Sequence, residues 1–234
     1  MMTGNEKTAL RPMALYTAVY LLWFRLVEAL PRSSYQVIEL ALDRKIPFVE
    51  EFVLPYVSWF AFVPLGVLLL LKYDREMYDR AVTFLMTGMT VFLLVSTLFP
   101  NMQFLRPFIL PRENVFTKLI GLLWMVDTPT NVSPSIHVFN TLAILVMIWK
   151  SRAKELKGLR LRLMWTVWGA LIILSTMFIK QHSLLDVLAA FLMAGILYVF
   201  VFRYGMVFRF DGWNSAVERR AAARRRRRWR TDHI

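Results

Sequence analysis

No cysteine occurs among the 234 residues. That excludes disulfides, thiolate metal centres and a cysteine nucleophile. Acidic residues are sparse, 16 Asp and Glu against 29 Lys and Arg, for a net charge of +13. The imbalance is local: the segment "RRAAARRRRRWR", 219–230, holds eight of the arginines. In a chain of this composition such a segment reads first as a cytoplasmic anchor to anionic lipid. Nucleic acid is not expected as a partner. Histidine is rarer still, with three copies, and His233 belongs to the tail, leaving His137 and His182.

Apolar residues are what the chain has in excess. They make up 57% of it, above the roughly one half of soluble domains, and they fall in blocks. Six segments stand out, at about 13–30, 54–71, 81–99, 136–149, 163–179 and 184–202. A helix needs roughly 20 apolar residues to cross a bilayer core, so 136–149 is short on that count. The expected fold is an all-α integral membrane protein, a six-transmembrane-helix bundle. Residues 1–12 are polar, and the run after them is long enough to be a span without a small-residue cleavage site, so no removable leader is expected. The thirteen methionines read as packing residues.

Two connections carry patterns of their own. In 31–53, Tyr35, Ile38 and Leu42 recur at helical spacing, which predicts an amphipathic interfacial helix. In 100–135, the stretch "ENVFTKLIGLLWM", 113–125, predicts an interfacial or re-entrant helix. In the first span, Arg25 and Glu28 are spaced for a local ion pair. Lys and Arg cluster at 7–11, 72–80, 150–162 and in the tail, and are fewer at 32–45 and 106–118. The positive-inside rule therefore places both termini in the cytoplasm. The 100–135 connection, the start of the fourth span and the junction of the fifth and sixth then lie on the extracytoplasmic side.

Polar residues with chemical potential gather on that side. "NVSPSIHVFN", 131–140, offers Ser133 as a helix cap and Pro134 at the first helical position. Amides near Ser135 and Ile136 then stand at the positive end of a helix, where anions bind. A capped helix accounts for Ser133 and Pro134 without any ligand; it does not account for His137. In "STMFIKQHSLLDVLAA", 175–190, His182 and Asp186 are four apart and share a helix face. The carboxylate can fix one imidazole nitrogen and leave the other free to attack. Taken alone, the pair reads first as an ordinary interfacial one. Lys180 and Gln181 are adjacent donors. Arg106, in "FLRPF", has the side chain best shaped to grip a phosphate, or it snorkels to the interface.

The order Arg-Pro (Arg106–Pro107), Pro-Ser-x-His (Pro134, Ser135, His137) and Ser…His-x-x-x-Asp (Ser175, His182, Asp186), over about 55–200, resembles the type-2 phosphatidic acid phosphatase superfamily. Three departures accompany it: Phe99 at the place of the family's first lysine, Ile136 for its glycine and Thr176 for its third-motif arginine. The wording around the histidines is more similar to the branch of inositol phosphorylceramide synthases and their bacterial relatives. The resemblance implies a membrane lipid-phosphate phosphatase working through a phosphohistidine on the extracytoplasmic side, without metal or other cofactor. His182 would be the nucleophile, Asp186 its orienting carboxylate and His137 the general acid and base. Arg106, Ser135, Lys180, Asn131 and Gln181 would hold the substrate phosphate. Two alternatives are a phosphotransferase moving a phospho-headgroup to a hydroxyl acceptor, and a catalytically silent membrane scaffold. The implied organisation is a cytoplasmic segment 1–12, a six-helix phosphatase-like domain 13–204 and a basic cytoplasmic tail 205–234. The implied location is the inner (plasma) membrane of a bacterium.

Overall fold

The computed structural model describes residues 4–208, with side chains from Ala9 onward. The Arg-rich stretch 219–230, expected to meet anionic lipid, lies outside the described residues. Seven α-helices follow in order: α1 (Gly4–Ala29), α2 (Val53–Tyr73), α3 (Arg75–Leu98), α4 (Val115–Val126), α5 (Ile136–Lys150), α6 (Leu159–Phe178) and α7 (Leu184–Tyr198). α7 runs on through one wider turn, Val199–Arg203. Four helices, α2, α3, α6 and α7 with their end turns, are long and apolar enough to cross a membrane. Of the other two expected spans, α1 has the length, 26 residues, but more polar side chains. α5 has only 15 residues.

α5 is the centre of the bundle, packed on α2, α3, α6 and α7. Eight of its side chains from Val138 to Ile148, together with His137, are buried. Small residues on the neighbouring helices let them approach it. A Cβ on Gly66 of α2 would lie 2.4 Å from Ile144 Cγ2, and one on Gly88 of α3 would lie 2.1 Å from the Phe139 ring. In lipid such close contacts, rather than expulsion of water, hold helices together. Phe139 also stacks on Phe84 of α3, with centroids 5.2 Å apart. The start of α5 is therefore fixed by packing immediately below the residue that bears its histidine.

The connections at that end are built differently from the amphipathic pattern. The expected helix in 31–53 is absent. Its place is taken by a two-residue strand β1 (Gln36–Val37), paired in parallel with β2 (Asn101–Met102), and by single turns at Ala41–Arg44 and Glu50–Phe52. The reason lies in Asp43, whose fully buried carboxylate accepts from Leu40 N–H and Leu184 N–H at 2.7 Å each. The segment is shaped around closing the α6–α7 junction. The helix expected at 113–125 is present as α4, capped by Asn114, whose side chain accepts from Phe116 and Thr117 N–H.

The expected Arg25–Glu28 pair is also corrected. Arg25 is exposed. Glu28 instead accepts hydrogen bonds from Thr128 Oγ1 at 2.5 Å, Thr130 Oγ1 at 3.0 Å and Asn131 Nδ2. Three converging neutral donors in the loop before α5 satisfy the carboxylate without a cation, and so tie α1 to that loop.

Candidate active site at the start of α5 and α7

Ser135, not Ser133, caps α5, with its Oγ accepting from Val138 N–H at 3.4 Å. The cap is shifted by two residues because Val132 and Ser133 N–H donate to the side chain of Asn101, at 2.8 and 2.9 Å. That holds Ser133 out of the helix. His137 is accordingly the second helical residue. α7 opens with a reciprocal cap: Ser183 Oγ accepts from Leu185 and Asp186 N–H, while Asp186 Oδ2 accepts from Ser183 N–H at 2.9 Å. Ser135 N–H donates to the Asp186 carbonyl at 3.2 Å, joining the two helix starts.

This junction brings His137, His182 and Asp186 together. His182 Nε2 lies 3.4 Å from His137 Nδ1. On its other side, His182 Nδ1 lies 3.5 Å from Asp186 Oδ2. The second distance is a contact rather than a hydrogen bond; His182 Nδ1 and Asp186 Oδ1 are both buried without a hydrogen-bond partner. A movement of about half an ångström would bring Nδ1 and Oδ2 to bonding distance. Both histidines are 7% exposed and Asp186 is fully buried.

The five expected phosphate-holding residues divide. Ser135 stands at the positive end of α5. The Val138 N–H is taken by the Ser135 cap; the Ile136 and His137 amides have no partner within their own helix, and this end can take an anion. The start of α7 is already taken up by Ser183 and Asp43. Gln181 and Arg106 form one network: Arg106 Nη2 donates to Gln181 Oε1 and to the Asp127 carbonyl at 2.6 Å, and Gln181 Nε2 donates to Asp127 Oδ2 at 2.8 Å. Arg106 also lies over the Trp124 ring, and its buried Nε has no partner. Burial pushes the guanidinium below its usual range, with Asp127 opposing.

Lys180 and Asn131 are placed elsewhere. The Lys180 ammonium donates to the carbonyls of Asp43 at 2.8 Å and Ile46 at 2.5 Å. Burial pushes it below the lysine range, against the pull of Asp43. Among the described residues no contact joins it to either imidazole, and it serves as a strut between the first connection and the α6–α7 turn. The Asn131 amide group is held by Glu28. Ser175 and Thr176 turn their hydroxyls to carbonyls of their own helix, Ile172 and Ile173. Phe99, at the end of α3, is exposed.

Two residues of the cluster have no motif to announce them. Tyr56, in the first turn of α2, is fully buried. Its hydroxyl donates to Asp127 Oδ2 at 2.5 Å and lies 3.4 Å from His137 Nδ1. The His137 ring is flanked by Tyr56 and Trp59, with centroids 4.6 and 4.5 Å away. The only signal in the sequence is a tyrosine and an aspartate at the edges of apolar runs. Among the described residues, no three His, Asp or Glu side chains are arranged to hold a metal ion.

The arrangement can therefore present one imidazole nitrogen as a nucleophile, backed by a carboxylate, with a second imidazole beside it. No curated protein and no solved structure matches the chain significantly. The family profile described as the PAP2 superfamily, whose members are phosphoesterases or related phosphotransferases, matches residues 80–209. Those residues take in α3 from Arg80 onward, α4 to α7 and all three motifs, and the chain belongs to the PAP2 superfamily.

Proposed function

We propose that the protein is a membrane lipid-phosphate phosphatase that forms a phosphohistidine on His182. The observation that carries this reading is the position of His182 between Asp186 and His137. Asp186 favours the tautomer with hydrogen on Nδ1, which leaves the Nε2 lone pair to attack phosphorus. The phosphorus–oxygen bond to the lipid breaks as the nitrogen–phosphorus bond forms, and His137 gives its proton to the leaving oxygen. His137 then takes a proton from water as that water attacks the phosphohistidine, and inorganic phosphate leaves. The Arg106 guanidinium and the first-turn amides of α5 offset charge on the phosphoryl oxygens. This scheme requires no metal.

The lipid class is supported by the surroundings. Phe104, Phe108, Ile109, Met125 and Val126 are exposed apolar side chains on the connection that supplies Arg106 and Asp127. Such a rim belongs at or in the headgroup layer. We place all six spans in the bilayer, with α1 and α5 completing the four more apolar helices. Fifteen residues make α5 about 22 Å long, short of the roughly 30 Å core, so the histidines sit recessed from the surface. Both termini are cytoplasmic and the site is extracytoplasmic in this reading, and the basic tail rests on anionic lipid. Transfer to a lipid hydroxyl needs only a different acceptor in the second step. The wording "SPSIHV", similar to the inositol phosphorylceramide synthase branch, favours that as the second reading.

The test is phosphate release from phosphatidic acid micelles by purified protein, with and without chelator, together with trapping of a phosphoprotein. Release insensitive to chelator, and an acid-labile, alkali-stable phosphoprotein lost in His182→Ala, are expected. Phosphate release by the variant at the wild-type rate would overturn the assignment. Addition of a lipid alcohol separates hydrolysis from transfer by the product formed.

A further inference from the structure

We propose that Tyr56, held by Asp127, is the positioning residue of His137: it accepts the Nδ1–H of that imidazole and so fixes Nε2 as the nitrogen that exchanges protons with substrate. The inference rests on the function proposed above and adds a residue pair to it.

The argument begins with counting protons. Asp127 Oδ2 is reached by two donors, the Tyr56 hydroxyl at 2.5 Å and Gln181 Nε2 at 2.8 Å. An ionised carboxylate only accepts, and a phenol has one proton. Tyr56 therefore has its proton on the Asp127 side and turns lone pairs toward His137 Nδ1, 3.4 Å away. An acceptor there favours the His137 tautomer with hydrogen on Nδ1. It also stabilises the imidazolium form. Gln181 is held in turn by Arg106, so the orientation of the carboxylate is fixed from the far side.

The same Nδ1–H has a second acceptor, His182 Nε2, also at 3.4 Å. That lone pair is the one the reaction uses. Once phosphorus is bonded to His182 Nε2, the nitrogen can no longer accept a hydrogen bond. A nucleophile approaches its target at roughly 3–3.5 Å before reaction, so a phosphoryl group must take the place of the His137 contact. His137 then keeps Tyr56 as its remaining Nδ1 partner. The two histidines thus have parallel supports: Asp186 behind His182, and Asp127 through Tyr56 behind His137. The groups bearing on His137 are Tyr56 from α2, Asp127 after α4 and His182 before α7, with Arg106 beyond Asp127.

The experiment uses the full chain with two readouts. First, 15N-histidine-labelled protein in lipid, carrying His182→Ala to remove the second acceptor and His233→Ala to leave one histidine, reports the His137 tautomer. Nδ1–H is expected in that background, and loss of that preference when Tyr56→Phe or Asp127→Asn is added. An unchanged tautomer in both variants overturns the positioning role, whatever the activity. Second, turnover is compared on phosphatidic acid, with its poor alkoxide leaving group, and on 4-nitrophenyl phosphate, whose leaving group needs no proton. A misplaced general acid, whose contribution is about 10²–10⁴-fold, should lower kcat on the alkyl ester about 10- to 100-fold in Tyr56→Phe, with KM little changed. The single-turnover burst on the aryl ester should fall by about tenfold less. Equal losses on both esters would mark Tyr56 as merely structural. Wild-type protein that cleaves neither ester overturns the phosphatase reading, and the catalytic consequence of Tyr56 with it, while the tautomer readout still decides the hydrogen bond.

Discussion

The carboxylate of Asp186 serves two groups of its own turn: Oδ2 accepts from Ser183 N–H at 2.9 Å and lies 3.5 Å from His182 Nδ1. Helix capping and histidine orientation are therefore joined in one oxygen. Asp186→Asn separates them. The amide oxygen can still accept from Ser183, so the cap and the fold persist. The negative charge that holds the proton on His182 Nδ1 is lost, and with it the preference for the tautomer that frees Nε2. Turnover should fall by about three to four powers of ten, the scale seen when an oriented histidine receives the wrong tautomer, with little change in detergent melting temperature. A loss of activity that tracks a loss of melting temperature would show that the cap alone matters.

Glu28 fastens α1 to the loop that delivers α5. Three donors, on Thr128, Thr130 and Asn131, converge on its carboxylate. Glu28→Ala leaves them without that acceptor, at a cost of about 2–3 kcal/mol for hydrogen bonds to a charged group. The expected result is a lower melting temperature and reduced turnover, because the 128–131 loop follows Asp127 directly. Arg25→Ala should do neither, since Arg25 is exposed. Matching losses in the two variants would restore the local ion pair instead.

How much of this was legible in the sequence depends on the distance between partners. The long apolar runs became helices because burial or lipid contact along one helix is a local property, readable from a window of residues. His182 and Asp186 are four apart as a shared helix face would require, but His182 precedes Ser183, the cap of α7, and it is the reciprocal cap that turns the Asp186 carboxylate back toward the imidazole. Tyr56 and Asp127 are 71 residues apart, and nothing in "VLPYVSWF" separates a hydrogen-bonding tyrosine from a packing one. Lys180 reads as a phosphate cation from its place two residues before His182. Its ammonium instead reaches back 137 residues to Asp43. The helical spacing in 31–53 was real but was outweighed by the buried Asp43, whose partners lie on Leu40 and Leu184. The cap moved from Ser133 to Ser135 for the same kind of reason, the distant Asn101.

The absence of cysteine makes topology directly measurable. Ile109 is 85% exposed on the connection beside the site. Lys154 is exposed in the turn between α5 and α6 at the other end of the bundle. A single Ile109→Cys should react with a membrane-impermeant maleimide in intact cells, and a single Lys154→Cys only after permeabilisation. The reverse pattern would place the histidines on the cytoplasmic side.

Gly88 couples helix packing to the chemistry. It lies on α3 against the Phe139 ring, and an added Cβ would stand 2.1 Å from that ring, closer than any atoms tolerate. Phe139 has little freedom to retreat, being fully buried and stacked on Phe84. Gly88→Ala must therefore push α3 and α5 apart or tilt α5. Overpacking of this kind costs about 1–3 kcal/mol. Phe139 is two residues from His137, so the displacement reaches the imidazole and its 3.4 Å contacts with Tyr56 and His182. The variant should show both a lower melting temperature and a fall in kcat. A second-site Phe139→Leu, which makes room for the new methyl, should recover part of each. If Phe139→Leu restores stability without restoring kcat, the ring itself holds His137 in register. If it restores neither, the contact between α3 and α5 is not what places the histidine.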